Sequence, residues 1–392
     1  MRYGKVLITG GLGFIGGHVA RSLVEHGWDV LLFDNLSPQT HGEVPEITMH
    51  GILQHPRVEA YRGDVRNPAD WERVLPEVSY VVHLAAETGT GQSMYEISRY
   101  TKTNVGGTAN LLDYLANRRH KIRKVILGSS RSVYGEGAYR CVKCGVVHPA
   151  MRSEPMLISG QWEPQCPSCG GQISATATPE DAQLAPASIY AVTKLAQEDL
   201  LRIATKALGI PSVILRLQNV YGEGQSLKNP YTGIFSIFSN QLRLGMALNL
   251  YEDGRESRDF VHVTDVARAV ALSLGLEAAD GHTLNVGSGC ATTIEDIALL
   301  LREQFGSKIP YFMSGQYRLG DIRHGLAELT AIRTRLGFEP LVSLEQGLGR
   351  FVTWVKTQPV EPDQLVRATQ ELVNRGLMPE TAARIDRDMA SD

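Results

Sequence analysis

The chain has 392 residues, 43% of them hydrophobic and 21% charged, with a formal net charge of −3 at pH 7, the balance of an ordinary globular protein with ample core. So small a charge excludes a chain-wide basic field for nucleic acid, and the one basic run, residues 117–124 (NRRHKIRK), reads as a helix end entering a strand. No stretch approaches the roughly 18 apolar residues of a membrane span, and the chain enters an apolar strand at once without a signal-peptide pattern, so a cytoplasmic protein with no membrane partner is expected. In chain order, residues 5–37 alternate an apolar strand, a glycine turn, an amphipathic helix and a second apolar strand, a βαβ unit. Further strands are expected at 80–86, 124–130 and 212–222, with helices over 105–118 and 188–208. Strands separated by helices imply an α/β fold with a doubly wound parallel sheet. Beyond about residue 225 the pattern loosens into what suits a smaller C-terminal lobe, and Leu365, Val366, Thr369, Leu372 and Val373 give the tail the spacing of a docking helix.

Gly10, Gly13 and Gly16 in TGGLGFIGG stand between the first strand and the first helix. Glycines there let the backbone turn tightly and approach a pyrophosphate on the helix N-terminus, a Rossmann-type arrangement. Asp34 closes the next strand at the spacing of an acid that bonds both ribose hydroxyls, and no arginine follows it, which favours NAD over NADP. Tyr190 and Lys194 in YAVTK share one face of a predicted helix, where a nearby ammonium is expected to lower the tyrosine's pKa. Ser129-Ser130 ends a strand that could bring a hydroxyl to the same substrate oxygen. Between these motifs lie Cys141-x-x-Cys144 and Cys166-x-x-Cys169, 21 residues apart and each followed by glycine. Four such thiolates suit tetrahedral zinc in a closed structural site, while Cys290 is expected to be a buried or partly buried bystander.

The motifs TGGLGFIG, FDNLS, GDVRN, VVHLAA, TNVGGTANLL, SSRSVYG, YAVTK, LRLQNVYG, RDFVHVTD and LNVGSG follow one another over most of residues 1–350. In them the chain resembles the extended short-chain dehydrogenase/reductases that act as nucleotide-sugar epimerases and dehydratases. The resemblance implies a tightly bound NAD against Gly10, Gly13, Phe14, Ile15, Gly16, Asp34, Asn35, Asp64, Val65, Leu84, Ala85, Ala86, Asn104, Tyr190 and Lys194. It implies Ser130, Tyr190 and Lys194 as the catalytic set, with a nucleotide diphosphate sugar bound by Thr88, Thr90, Gln92, Ser130, Arg131, Asn219, Arg258 and Arg318. Asn219 and the two last arginines would grip the diphosphate, although Arg323 lies close enough to Arg318 to contest that assignment. Domain bounds of 1–137 with 186–225 for the NAD-binding part, 138–185 for the zinc-ribbon insertion, 226–355 for an interleaved substrate lobe and 356–392 for a helical tail are expected.

Dehydratases and decarboxylases of that family carry an acid just after the serine or threonine, where this chain has Arg131 and Ser132. Without it the expected reaction is simple 4-epimerisation, with a 4-reductase, a dehydratase or a nonenzymatic dinucleotide sensor as alternatives. The chain is similar to cysteine-bearing epimerases of dTDP-L-rhamnose, which puts that sugar first, followed by UDP-glucose and UDP-N-acetylglucosamine. A homodimer through the helices around 94–118 and 188–208 is also implied. The insertion leaves and rejoins the rim of the active site, so it either shapes the sugar pocket or a subunit contact, or decorates the outside.

Overall fold

The computed structural model of the protein describes residues 4–42, 51–227, 229, 233–360 and 365–379. Its strands in chain order are β1 (Lys5–Thr9), β2 (Asp29–Asp34), β3 (Val58–Arg62), β4 (Tyr80–His83) and β5 (Lys124–Ser130), then β6 (Tyr139–Cys141), β7 (Gly145–Val147) and β8 (Ile173–Ala175) in the insertion. They continue as β9 (Ser212–Leu217), β10 (Asn219–Tyr221), β11 (Leu248–Leu250), β12 (Ser257–His262), β13 (Thr283–Val286), β14 (Ala291–Thr293) and β15 (Tyr311–Met313). Seven of them form the main sheet in the order β13-β9-β5-β4-β1-β2-β3, every neighbouring pair parallel. Its central strands read as unbroken apolar runs because helices cover both faces. Val19, Leu23, Val266 and Val270 pack one face, and Trp71, Leu111, Leu115 and Leu201 the other. Strand order reverses between β1 and β4, so a crevice opens at their C-terminal ends.

The smaller lobe is built on β10-β12-β14 and β11-β15, with Phe235, Phe238, Phe260 and Phe351 in its core. The insertion forms a separate three-stranded antiparallel sheet, β7-β6-β8. The segment 212–222, expected as one strand, divides at Gln218 between the main sheet and the lobe. Apolar residues continue across the division, so periodicity gives no sign of it.

Two strands of the main sheet escape the sequence reading. β3 is an edge strand with exposed and half-buried residues. β13 has only four residues, including the fully buried Asn285, which exchanges hydrogen bonds with Tyr134 (2.8 Å) and the Thr178 carbonyl (2.9 Å). Within 226–355, β13 joins the main sheet beside β9, and the helices Val263–Gly275 and Thr330–Leu336 pack on that sheet.

The helix expected over 105–118 starts as a π-helical turn, Thr101–Gly106, before Gly107–Asn117. The tail helix Leu365–Val373 docks, with Leu372 buried opposite Gly91, Tyr95 bonded to Glu371 at 2.9 Å and Arg375 stacked on the Tyr95 ring. Tail residues 361–364 and 380–392 lie outside the described residues. Among the described residues no helix is long and apolar enough to cross a membrane.

Candidate active site

The dinucleotide cradle follows from two glycines. Gly10 leaves β1 with φ of +67°, and a Cβ on Gly16 would lie 2.2 Å from the Gly10 carbonyl oxygen, so helix Phe14–Glu25 can approach the turn only without a side chain there. That helix has no side-chain cap at Gly13, which leaves its first N–H groups, near Phe14 and Ile15, for an anion. Asp34 ends β2 and accepts from the Leu12 and Leu36 amides at 3.1 and 2.9 Å, which fixes its carboxylate over the turn. Asn35 donates to Asp64 at 3.2 Å. Burial works against the Asp64 charge, but Arg66 at 2.6 Å outweighs it and holds the carboxyl below its ordinary value. Leu84 and Ala85, just past β4, donate their amides to Thr9 at 3.1 and 3.0 Å, and Ala86 continues this wall. The Val65 carbonyl accepts from Trp71 and Asn110, so Val65 is anchored by its backbone. These residues form a cradle with bare backbone where a pyrophosphate needs it and a carboxylate where a ribose needs it, and they fit NAD.

Asn104 is fully buried, and its amide is spent on Glu87 (2.8 and 3.1 Å) and Thr193 (2.9 Å). These bonds lock the loop after Ala86 to the helix that carries Tyr190.

That helix, Ile189–Leu208, starts at Ser188, whose hydroxyl caps the Ala191 amide, and stops at left-handed Gly209. One turn apart, Tyr190 and Lys194 face the end of β5 and Ser130. The expectation that Lys194 lowers the tyrosine's pKa needs correction. Burial pushes the Tyr190 phenol up, with a hydrogen bond to Ser130 acting the other way, and the ammonium is not among the causes. Lys194 instead donates to the Gly128 carbonyl at 2.9 Å, and burial lowers it to about 8 against the opposing pull of Glu198. Ser129 is excluded from chemistry, because its hydroxyl is committed to Glu198 at 2.5 Å.

Ser130, Arg131, Tyr190, Thr90 and Asn219 line a cavity of about 210 Å³. A second cavity of about 190 Å³ in the lobe is lined by Phe235, Phe238, Tyr251, Phe260, Tyr317 and Arg318 among others. The two share Asn219, Arg258, Asp321 and Ile322, so they form one cleft with a hydroxyl-rich end, an aromatic end and guanidinium groups at the junction. Burial and then neighbouring Arg258 bring Arg131 down to about 10, against the opposing pull of Glu136 and Asp321. Arg318 stacks on Tyr251 at 5.0 Å and has a buried Nε with no hydrogen-bond acceptor. Arg323 is consumed by Glu163, Glu252 and Asp253 and does not line the cleft, so the contest between the two arginines goes to Arg318.

Gln92, expected to face the sugar, is buried and bonded to Gln39 and Tyr100 instead. Thr88 uses its carbonyl to hold the Tyr100 hydroxyl at 2.7 Å, and neither residue lines the cavity. Sequence reasoning missed Glu256, Tyr317 and Asp321, which also line the cleft. Burial, then Glu252, raises the Glu256 carboxyl to about 8, beside the aromatic end. Tyr317 stands directly before Arg318, Glu256 two residues before Arg258 and Asp321 three after Arg318, so each sat close to a residue already singled out.

In the insertion, sulfurs of Cys141, Cys144, Cys166 and Cys169 all lie within 4.8 Å of one another, with Cys141 and Cys169 at 3.7 Å. Zinc–sulfur bonds of about 2.3 Å in a tetrahedron put sulfurs about 3.8 Å apart, so the four fit one ion. Burial opposes ionisation of Cys166, yet amides of Ser168 and Cys169 aimed at its sulfur bring the thiol down to about 7. Cys290 is exposed, contrary to expectation.

A Rossmann cradle opening onto Ser130, Tyr190 and an arginine-lined cleft defines a dinucleotide-dependent enzyme for a long anionic substrate. The comparisons agree: the model of the NAD dependent epimerase/dehydratase family matches residues 6–149 and 165–287, and the chain belongs to that family. It is 39% identical to dTDP-L-rhamnose 4-epimerase of Burkholderia thailandensis over 355 residues, covering 90% of this chain and 94% of that one. UDP-glucose 4-epimerase of Thermotoga maritima, solved with UDP-glucose, superposes with a TM-score of 0.72 at 28% identity, covering 90% of this chain and 98% of that one. UDP-glucuronic acid 4-epimerase of Bacillus cereus, solved with UDP-glucuronic acid and NAD, gives 0.71 at 26% identity over 90% and 99%.

Proposed function

We propose that this NAD-dependent nucleotide-sugar epimerase inverts C4' of its substrate, with dTDP-L-rhamnose first and UDP-glucose or UDP-N-acetylglucosamine next. One observation carries the reading: among the described residues, Asp321, beside Arg258 and Arg318, is the only acid lining the hydroxyl-rich cavity. A dehydratase needs a further acid near Ser130, and Arg131 stands there. Bound NAD supplies a reversible acceptor for the hydrogen of C4'. The chain's residues do the rest. Tyr190 takes the 4'-hydroxyl proton and later returns it, Ser130 donates to the same oxygen, and Lys194 holds the cofactor ribose. Asn219, Arg131, Arg258 and Arg318 hold the diphosphate while the 4-keto sugar turns about that tether, and the enclosed cleft keeps it from water. The rank of dTDP-L-rhamnose rests on the 39% identical relative.

The four cysteines bind structural zinc, a reading supported by their spacing. The chain forms a homodimer through the helices around 94–118 and 188–208, a reading supported by Ile97, Val192, Leu200 and Ile203, which are exposed there. Incubating the purified protein with each of the three nucleotide sugars, without added reductant, tests the activity by proton NMR. Appearance of a C4 epimer at equilibrium is expected; one-way conversion that requires NADPH would show a reductase instead.

A further inference from the structure

Arg152 lies in the insertion between the two cysteine pairs, yet its side chain is 1% exposed. Its guanidinium donates to Glu252 of the lobe at 2.8 Å and to the Asp321 carbonyl at 3.0 Å, and stands 3.4 Å from Glu136. Glu163, three residues before Cys166, accepts from Arg323 at 2.8 Å and pairs with His324 at 3.2 Å. Trp162 packs beside Tyr317 at 6.5 Å. Three contacts from one insertion thus converge on residues 317–324. That segment supplies Tyr317, Arg318, Asp321 and Ile322 to the cleft, and its Ile322 and Arg323 carbonyls accept from Arg258 at 2.9 and 3.0 Å. Arg258 is therefore aimed by backbone that the insertion holds. Buried ion pairs of this kind give little net stability but fix geometry, because removing one partner strands the other charge.

We propose that the insertion positions the substrate grip: Arg152 and Glu163 hold residues 317–324, and through them Arg258 and Arg318, in the geometry that takes the diphosphate. Metal at the cysteines and nucleotide in the cleft are then coupled, although no residue of the insertion lines the cavity of Ser130 and Tyr190. The inference rests on the cleft being a nucleotide-sugar site.

The test is calorimetric titration of the NAD-containing protein with dTDP and with UDP, for the unmodified chain, Arg152→Met, Glu163→Gln and the chelator-treated protein. Arg152→Met is expected to weaken the better nucleotide about tenfold and to raise KM alike, with kcat within twofold and bound NAD unchanged. Arg152→Lys is expected to recover part of the loss. Chelation is expected to reproduce the shift and to add little to Arg152→Met. Should Arg152→Met not fold, the half-exposed Glu163→Gln carries the test with an expected threefold loss. A folded variant that binds as tightly as the unmodified chain, or one that loses kcat at constant KM, would overturn the coupling alone. Failure of the unmodified chain to bind either nucleotide would overturn the reading of the cleft, and the coupling with it.

Discussion

Replacing Gly16 by alanine puts a methyl group where the structure has no space for it. The added carbon would lie 2.2 Å from the Gly10 carbonyl oxygen and 2.7 Å from the Gly11 Cα, both backbone atoms that no rotamer change can move. Contacts of 3.4 Å or more are ordinary, so helix Phe14–Glu25 must withdraw from the turn by about 1 Å. Overpacking of this kind costs about 1–3 kcal/mol. If the cost falls on the cradle, NAD binds about 5- to 150-fold more weakly. Gly13→Ala is the control, since its Cβ meets only the Gly10 oxygen, at 3.2 Å, and otherwise projects into the cradle. Gly13→Ala should lose NAD with no change in the unfolding of the NAD-free protein, whereas Gly16→Ala should lose NAD and destabilise the NAD-free protein as well. NAD released on denaturation and thermal unfolding read the two effects. A Gly16→Ala protein with full NAD and an unchanged transition would refute the reasoning.

Tyr190→Phe should lower kcat by about 10²- to 10⁴-fold while bound NAD, measured after denaturation, stays at the unmodified level. Arg318→Ala should raise KM with little loss of stability, whereas Arg323→Ala should cost about 1–3 kcal/mol in urea unfolding, because it leaves Glu252 with Arg152 alone and takes the guanidinium from Asp253. Lys194 gives a pH signature: its folded pKa, about 8, lies below its ordinary 10.5, so the unfolded chain binds more protons between these values. The penalty of the buried charge is complete below about 8 and is lifted as pH rises towards 10.5. The stability difference between Lys194→Met and the unmodified chain should therefore shift towards the unmodified chain across that window, as urea unfolding at each pH would show. Ile203→Glu should turn a dimer into monomers in sedimentation, since Ile203 is 71% exposed on the proposed contact helix.

Local signals carried far in this chain. Gly10, Gly16 and Asp34 are legible because a strand, a tight turn and a helix N-terminus each demand particular residues at fixed spacing. The two Cys-x-x-Cys pairs are legible for the same reason, each being a local turn whose partner is another copy of itself. Gln92 was misread because its neighbours in space, Gln39 and Tyr100, satisfy its amide, and nothing in AAETGTGQS records them. The pKa of Tyr190 was misread for a related reason: Lys194 has the right helical spacing, but the Gly128 carbonyl claims its ammonium.

By itself, then, the sequence determined the strand and helix alternation of the doubly wound sheet, the glycine turn before helix Phe14–Glu25 and the two cysteine knuckles, because each is written in residues close together along the chain. Only the tertiary structure decided which arginine lines the cleft, that β13 returns to the first sheet, and that the insertion grips residues 317–324. The first and last of these depend on charges a hundred or more residues apart, such as Arg152 with Glu252 and Glu163 with Arg323, choosing one another in a buried space where an unpartnered charge is too costly to leave.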